Sequence, residues 1–216
     1  MKYDISIRIN FPEEITSVLR KEKQRFIAKY SSEYKSEPHI TLYLDSYTAE
    51  GYPKLLEELR KLSLTPFTIT LLPPKIRVEN DRHRNLYIMD VSNKEALREL
   101  HDKISEIAIP YRSPFIREKK KDKLEREGVH TDGTRESFGN LHLAEETFDP
   151  HITLGEIDFD KPQADIAESQ KSLISIEGRE IIVSGVTIFW YGKEDGDEKA
   201  HLIEEVAIPF YPRPIY

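Results

Sequence analysis

Cysteine is absent from the 216 residues. That one absence removes disulfides, thiolate catalysis and cysteine-based zinc sites together, and it fits a reducing compartment. Long apolar runs are missing too. No stretch approaches the roughly 18 apolar residues of a membrane helix, and Met1-Lys2-Tyr3-Asp4-Ile5 carries no apolar h-region. The expectation is a cytoplasmic chain with no membrane partner. Net positive charge is lacking as well. Lys and Arg number 32 against 39 Asp and Glu, for a net charge of −7. Affinity for long nucleic acid comes from neutralising many phosphates, so long double-stranded nucleic acid is a poor partner. A small nucleotide or short oligonucleotide in a local basic pocket stays open.

What is present is a repeat. Glu37-Pro38-His39-Ile40-Thr41-Leu42 returns as Asp149-Pro150-His151-Ile152-Thr153-Leu154. Five consecutive identities follow an acid in both copies, and internal repeats of this kind carry architectural meaning. On a strand, residues i and i+2 share a face. His39 and Thr41 therefore point one way, and Ile40 and Leu42 point the other way into a core. The second copy does the same. If the copies face each other, two imidazoles and two hydroxyls converge on one small volume, which suits acid–base chemistry on a phosphodiester.

Hydrophobic periodicity organises the rest. Lys2–Asn10 alternates as a strand, with Tyr3, Ile5, Ile7 and Ile9 on one face. Pro12, followed by Glu13 and Glu14, opens a helix with Ile15, Val18, Leu19, Phe26, Ile27 and Tyr30 as its stripe. His39–Leu44 is the first motif strand, and about 53–62 is a second helix. Phe67–Leu72, Ile76–Glu79 and Leu86–Val91 read as strands, with a turn over Asn80–Asn85. Ser92-Asn93-Lys94-Glu95 has the form of a capping box and starts a third helix with Leu97, Leu100, Ile104 and Ile107 inward. Periodicity lapses over Pro110–Thr147, a long insertion with a charged run at Arg117–Arg126. His151–Ile157, a helix over about 160–173, and two long strands, Glu180–Tyr191 and His201–Phe210, complete the chain. Helices between runs of strands predict an α+β protein, a single two-lobed domain over 1–216 that acts as a monomer.

At its two His-x-Thr motifs the chain resembles the 2H phosphoesterase superfamily, which includes the 2′-5′ RNA ligase-like proteins and cyclic phosphodiesterases. Both motifs match in full, at His39/Thr41 and His151/Thr153. They lie 112 residues apart, 151 less 39, which is wider than in the small bacterial members. Many members carry a basic residue after the second motif, where this chain has Gly155-Glu156. The resemblance implies a two-lobed fold: pseudo-two-fold related antiparallel sheets, helices on the outer faces and a catalytic cleft between the lobes. It implies catalysis by His39, Thr41, His151 and Thr153 with no metal and no cofactor.

The substrates expected are 2′,3′-cyclic phosphates or 2′-5′-linked, including cyclic, oligonucleotides. One histidine would take a proton and the other supply one, while the threonines hydrogen-bond the non-bridging phosphate oxygens. Tyr43 continues the catalytic face by simple alternation, whereas Gly155 takes its place in the second copy, so Tyr43 is a candidate base-stacking residue. Arg82, Arg84 and Arg117 are candidate substrate contacts, with Arg77, Arg112 and Lys119–Lys121 beside them. His83, His101, His130, His142 and His201 have no partner readable from the sequence, and Trp190 and Tyr191 are expected in the core. The alternatives are a 2′-5′ RNA ligase activity, a non-catalytic nucleotide-binding module, and a metallohydrolase using His39, His151, Glu37 and Asp149. The last lacks the His-x-His or His-x-x-x-His spacing that chelates a metal.

Overall fold

The computed structural model describes residues 2–30, 36–79, 84–115, 148–158, 171–193 and 201–210. Its elements run β1 (Lys2–Ile9), α1 (Glu13–Tyr30), β2 (Ile40–Tyr47), α2 (Gly51–Arg60), β3 (Phe67–Glu79), β4 (Arg84–Val91), α3 (Lys94–Ala108), β5 (His151–Asp158), β6 (Glu180–Val183), β7 (Gly185–Lys193) and β8 (His201–Pro209). The strands form one curled antiparallel sheet in the order β6-β3-β4-β5-β2-β1-β7-β8. The two motif strands lie at its centre, with four strands on either side of their junction. Among the described residues the two motif strands pair in register at Ile40 with Ile152.

Strand register explains the division of labour between the faces. On β1, Ile5, Ile7 and Ile9 are buried on one face, while Asp4, Ser6 and Arg8 alternate onto the other. α1 packs behind β5, and α3 packs behind β2. Each helix thus backs the motif strand of the opposite half, and the apolar stripe is sealed between sheet and helices. Among the described residues no helix is long and apolar enough to cross a membrane.

Phe67–Glu79 is one strand, not two, and its register against β4 slips between Leu71 and Pro74. Pro73 and Pro74 fall in that slip, where missing ladder donors are tolerated. The run 180–191 is two strands, not one. β6 pairs with β3 at one edge, and β7 pairs with β1 near the other. The break falls at Ser184-Gly185, where the Ser184 carbonyl accepts from Phe210 N at 2.8 Å. A Cβ on Gly185 would lie 2.7 Å from the Ile208 carbonyl oxygen, so the backbone approach there requires glycine.

The capping box does not form. Ser92 Oγ instead accepts from Thr70 N at 2.7 Å, and Asn93, with φ of 53°, donates from its side chain to Thr68 O at 3.0 Å. Both residues tie the start of α3 to β3. The insertion from 116 to 147 and most of the helix expected over 160–173 lie outside the described residues, and residues 171–173 are helical.

Candidate active site

Each half-site begins with a proline. A residue before proline is held extended, which turns the Glu37 and Asp149 carbonyls toward the histidines two positions later. Nδ1 of His39 is 2.6 Å from Glu37 O, and Nδ1 of His151 is 2.7 Å from Asp149 O. A carbonyl only accepts, so in both rings Nδ1 carries the hydrogen and Nε2 is the basic nitrogen. Arg77 Nη1 also lies 3.2 Å from His151 Nδ1. The shorter carbonyl contact settles the tautomer, and the guanidinium is held by Asp149, to which Arg77 Nη2 donates. In the first copy Thr41 Oγ1 donates to His39 Nε2 at 2.9 Å. The acid heading each copy is anchored from a helix: Arg20 of α1 reaches Glu37 at 3.0 Å, and Lys94 of α3 reaches Asp149 at 2.7 Å.

Identical bulges follow the two motifs. Between β1 and β2 the pairing steps from Arg8–Thr41 to Ile7–Tyr43, and between β4 and β5 it steps from Ile88–Thr153 to Tyr87–Gly155. Leu42 and Leu154 are the extra residues. The bulge reverses the face of whatever follows. Tyr43 is therefore not on the histidine face. It is 6% exposed, packs into the core, and its hydroxyl donates to Asp45 at 3.4 Å. Gly155 turns the same way and meets the Phe26 ring of α1. The asymmetry of Tyr43 and Gly155 thus serves packing behind the sheet.

The histidine face carries cations that surround the motifs. Arg8 lies opposite Thr41, its Nε donates to Ser6 Oγ at 2.7 Å, and its guanidinium sits 4.5 Å above the Phe189 ring and 5.6 Å from the Tyr191 ring. Lys75 Nζ bonds Asp90 at 2.5 Å, and Asp90 lies opposite His151. Burial works to raise the Asp90 carboxyl, but hydrogen bonds from Lys75 and Lys94 hold it down to about 2. Asp149 is also held below the usual range: Lys94 and Arg77 outweigh its desolvation. Arg77, a sequence candidate, is at the site. Arg112 instead reaches Asp45 at 3.6 Å, near Tyr43. Arg82, the side chain of Arg84, and Arg117 lie outside the described residues.

Arg8, Lys75 and Phe189 were missed by sequence reasoning. The signal for Arg8 was available, because Asp4, Ser6 and Arg8 form the polar face of a strand beside the first motif. Trp190 faces the helices and stacks on Tyr52 with centroids 4.1 Å apart. Tyr191, expected in the core, shares the face of Arg8.

Burial sets the electrostatics of His39. The ring is 7% exposed, and desolvation, then the charges of Arg8, Lys23 and His151, outweigh the Glu37 carbonyl and push its pKa down to about 4. The unfolded histidine takes a proton near pH 6.5 and the folded one only near 4, so stability is full above 6.5 and is lost as pH falls through that window. A His39→Gln variant should therefore lose about 2–3 kcal/mol less than the wild type between pH 7 and 4.5 in urea unfolding. Equal losses would show that His39 is not buried neutral.

Among the described residues, no three His, Asp or Glu side chains are grouped to hold a metal ion. The fold itself recurs in solved structures. E. coli LigT complexed with ATP superposes with a TM-score of 0.55 at 16% identity, covering 97% of this chain and 99% of that one. A crystal structure described as a phosphoesterase gives 0.54 at 16% identity over 97% and 99%. TT0787 of Thermus thermophilus gives 0.55 at 14% identity over 96% and 98%. None of the curated proteins compared matches the chain. A family model described as the 2′-5′ RNA ligase superfamily matches residues 17–195, a span that holds both His-x-Thr motifs and the strands that face them toward one surface. The chain belongs to that superfamily, the 2H phosphoesterases.

Proposed function

We propose that the protein is a metal-independent phosphodiesterase that opens 2′,3′-cyclic phosphates or cleaves 2′-5′-linked oligonucleotides. The observation that carries this reading is the matched posture of His39 and His151. Each ring is fixed by Nδ1–H to the carbonyl two residues earlier, on strands that meet at Ile40 and Ile152. In hydrolysis of a cyclic phosphate, His39 Nε2 takes a proton from water as the water oxygen bonds phosphorus. The bond from phosphorus to one ribose oxygen breaks, and protonated His151 gives its Nε2 proton to that oxygen. A neutral His39 suits the base, and its depressed pKa keeps it neutral at physiological pH.

Thr41 and Thr153 would donate to the non-bridging oxygens where negative charge accumulates. Thr41 must turn from His39 Nε2 to do so, which frees that nitrogen when substrate arrives. Arg8, Lys75 and Arg77 supply positive potential for a phosphate in an otherwise acidic protein, and Phe189 and Tyr191 offer a surface for a base. The crystal structures of E. coli LigT with ATP, NADP+ and 3′-AMP support a small nucleotide as ligand. Lack of cysteine supports a cytoplasmic setting.

The rival ligase reading is the reverse of the same chemistry. It is separated by giving the enzyme a cyclic phosphate together with a 5′-hydroxyl strand and asking which product accumulates. Turnover is expected to persist in excess EDTA and to trace a bell-shaped pH profile, its acid limb near 4. Loss on chelation, restored by zinc or manganese, would favour a metallohydrolase. Thr41→Ala and Thr153→Ala should each raise the barrier by about 1–3 kcal/mol, seen in kcat rather than KM. Unchanged kcat would remove the threonines from the reacting centre.

A further inference from the structure

His101 is a buried, titratable side chain that the mechanism above does not use. It lies on α3 and is 2% exposed. Its Nδ1–H donates to Leu42 O at 2.6 Å, and Leu42 is the extra residue of the first bulge. A bulge leaves that residue out of the strand ladder, so a side chain from behind the sheet takes over the carbonyl. The same ring lies parallel to Phe148, with centroids 4.2 Å apart and planes at 10°. Phe148 leads directly into Asp149-Pro150-His151. One imidazole therefore touches the end of the first motif and the residue that leads into the second.

Its helix reinforces the second contact. Lys94, Arg98 and His101 are spaced i, i+4 and i+7, one face of a helix. Lys94 Nζ bonds the Asp149 carboxylate at 2.7 Å, and Arg98 Nη2 reaches Phe148 O at 3.4 Å. The link matters because, among the described residues, the ladder between the two halves of the sheet consists of the pair Ile40–Ile152. A leucine would fill the same volume without burying polar nitrogen. Keeping imidazole leaves Nε2 buried with no hydrogen-bond partner among the described residues, an expense that needs a return.

We propose that His101 is a positioning residue, which pins the Leu42 bulge to the lead-in of the second motif and so fixes His39 and Thr41 relative to His151. The proposal rests on the two-histidine reading of the site. A misplacement of about 1 Å at a reacting group can cost up to about a hundredfold in rate. A loosened bulge also admits water to His39, whose charged surroundings are Arg8 of β1, Lys23 of α1 and His151 of β5, with the Glu37 carbonyl before β2. Relief of desolvation moves its titration up toward that of an ordinary histidine.

The test compares wild type, His101→Phe, which keeps the stack and loses the donor, and His101→Asn, which keeps a donor. The readouts are the NMR titration of the His39 ring and steady-state kinetics on adenosine 2′,3′-cyclic phosphate. In His101→Phe the His39 titration should rise by about one pH unit and kcat should fall about tenfold or more, with KM within about twofold. His101→Asn should restore both. A folded His101→Phe that matches wild type in both readouts, or a folded His101→Asn that behaves like His101→Phe, overturns the proposal. If His101→Phe does not fold, His101→Asn decides alone: wild-type titration supports the proposal and a raised one refutes it. If the wild type turns nothing over, the reading of function fails, while the titrations still decide the role of His101.

Discussion

His39→Ala and His151→Ala should each lower kcat by about two to four orders of magnitude, the range for loss of one general acid or base. The two losses have different signatures. Without His39 the proton of the attacking oxygen has no acceptor, and the acid limb of the pH profile near 4 disappears. Without His151 the leaving oxygen departs unprotonated, and the alkaline limb disappears. The double variant should be little worse than either single one, because groups that act in one proton-transfer cycle are strongly non-additive. Neither replacement should unfold the protein. Removing buried His39 even relieves the acid penalty described above, and His151 is only part-buried. Circular dichroism and unfolding curves alongside the kinetics separate lost chemistry from lost structure. Near wild-type turnover in either folded variant would end the two-histidine account.

Phe26→Ala should be the largest single effect on stability, about 3–5 kcal/mol in urea unfolding. The ring is 1% exposed. It stacks on Tyr87 with centroids 4.8 Å apart, tilts against Tyr30 at 4.7 Å, and fills the space left by Gly155. A Cβ placed on Gly155 would come within 2.1 Å of the ring. Gly155→Ala should therefore destabilise by about 1–3 kcal/mol through overpacking. Combined with Phe26→Leu, the cost should be less than additive, because the smaller side chain makes room for the methyl. Strict additivity would show that the two residues do not share that space. Because Gly155 directly follows the second bulge, loosening this contact should also lower turnover, which ties the packing behind the sheet to the chemistry in front of it.

The pairing of the two His-x-Thr strands was legible because a repeat in sequence became a repeat in space, and alternation set Ile40 and Ile152 to the core. Alternation failed one step later. Nothing in Leu42-Tyr43 or Leu154-Gly155 announces an extra residue in the ladder, so Tyr43 was assigned to the wrong face. Bulges are decided by pairing partners far along the chain. The same holds for β6 and β7: the apolar run 180–191 is continuous, and only Gly185, needing close approach to Ile208, marks the place where the chain crosses to the other edge. Ser92 and Asn93 satisfy a local capping pattern, but β3 offered them better-placed backbone partners. Arg8 gains its meaning only from its pairing opposite Thr41, which the alternation of its own strand does not show. His101 carried no signal, since its role depends on a carbonyl 59 residues away.

The most direct test is phosphorus NMR of adenosine 2′,3′-cyclic phosphate and of a 2′-5′-linked adenylate dimer, each incubated with the protein in excess EDTA. The account predicts that wild type converts at least one of them, to a ribose phosphomonoester or, from the dimer, by way of a 2′,3′-cyclic phosphate, and that His39→Ala and His151→Ala leave it unchanged over the same period. Both substrates intact with wild type, or conversion that proceeds equally in either histidine variant, would contradict it.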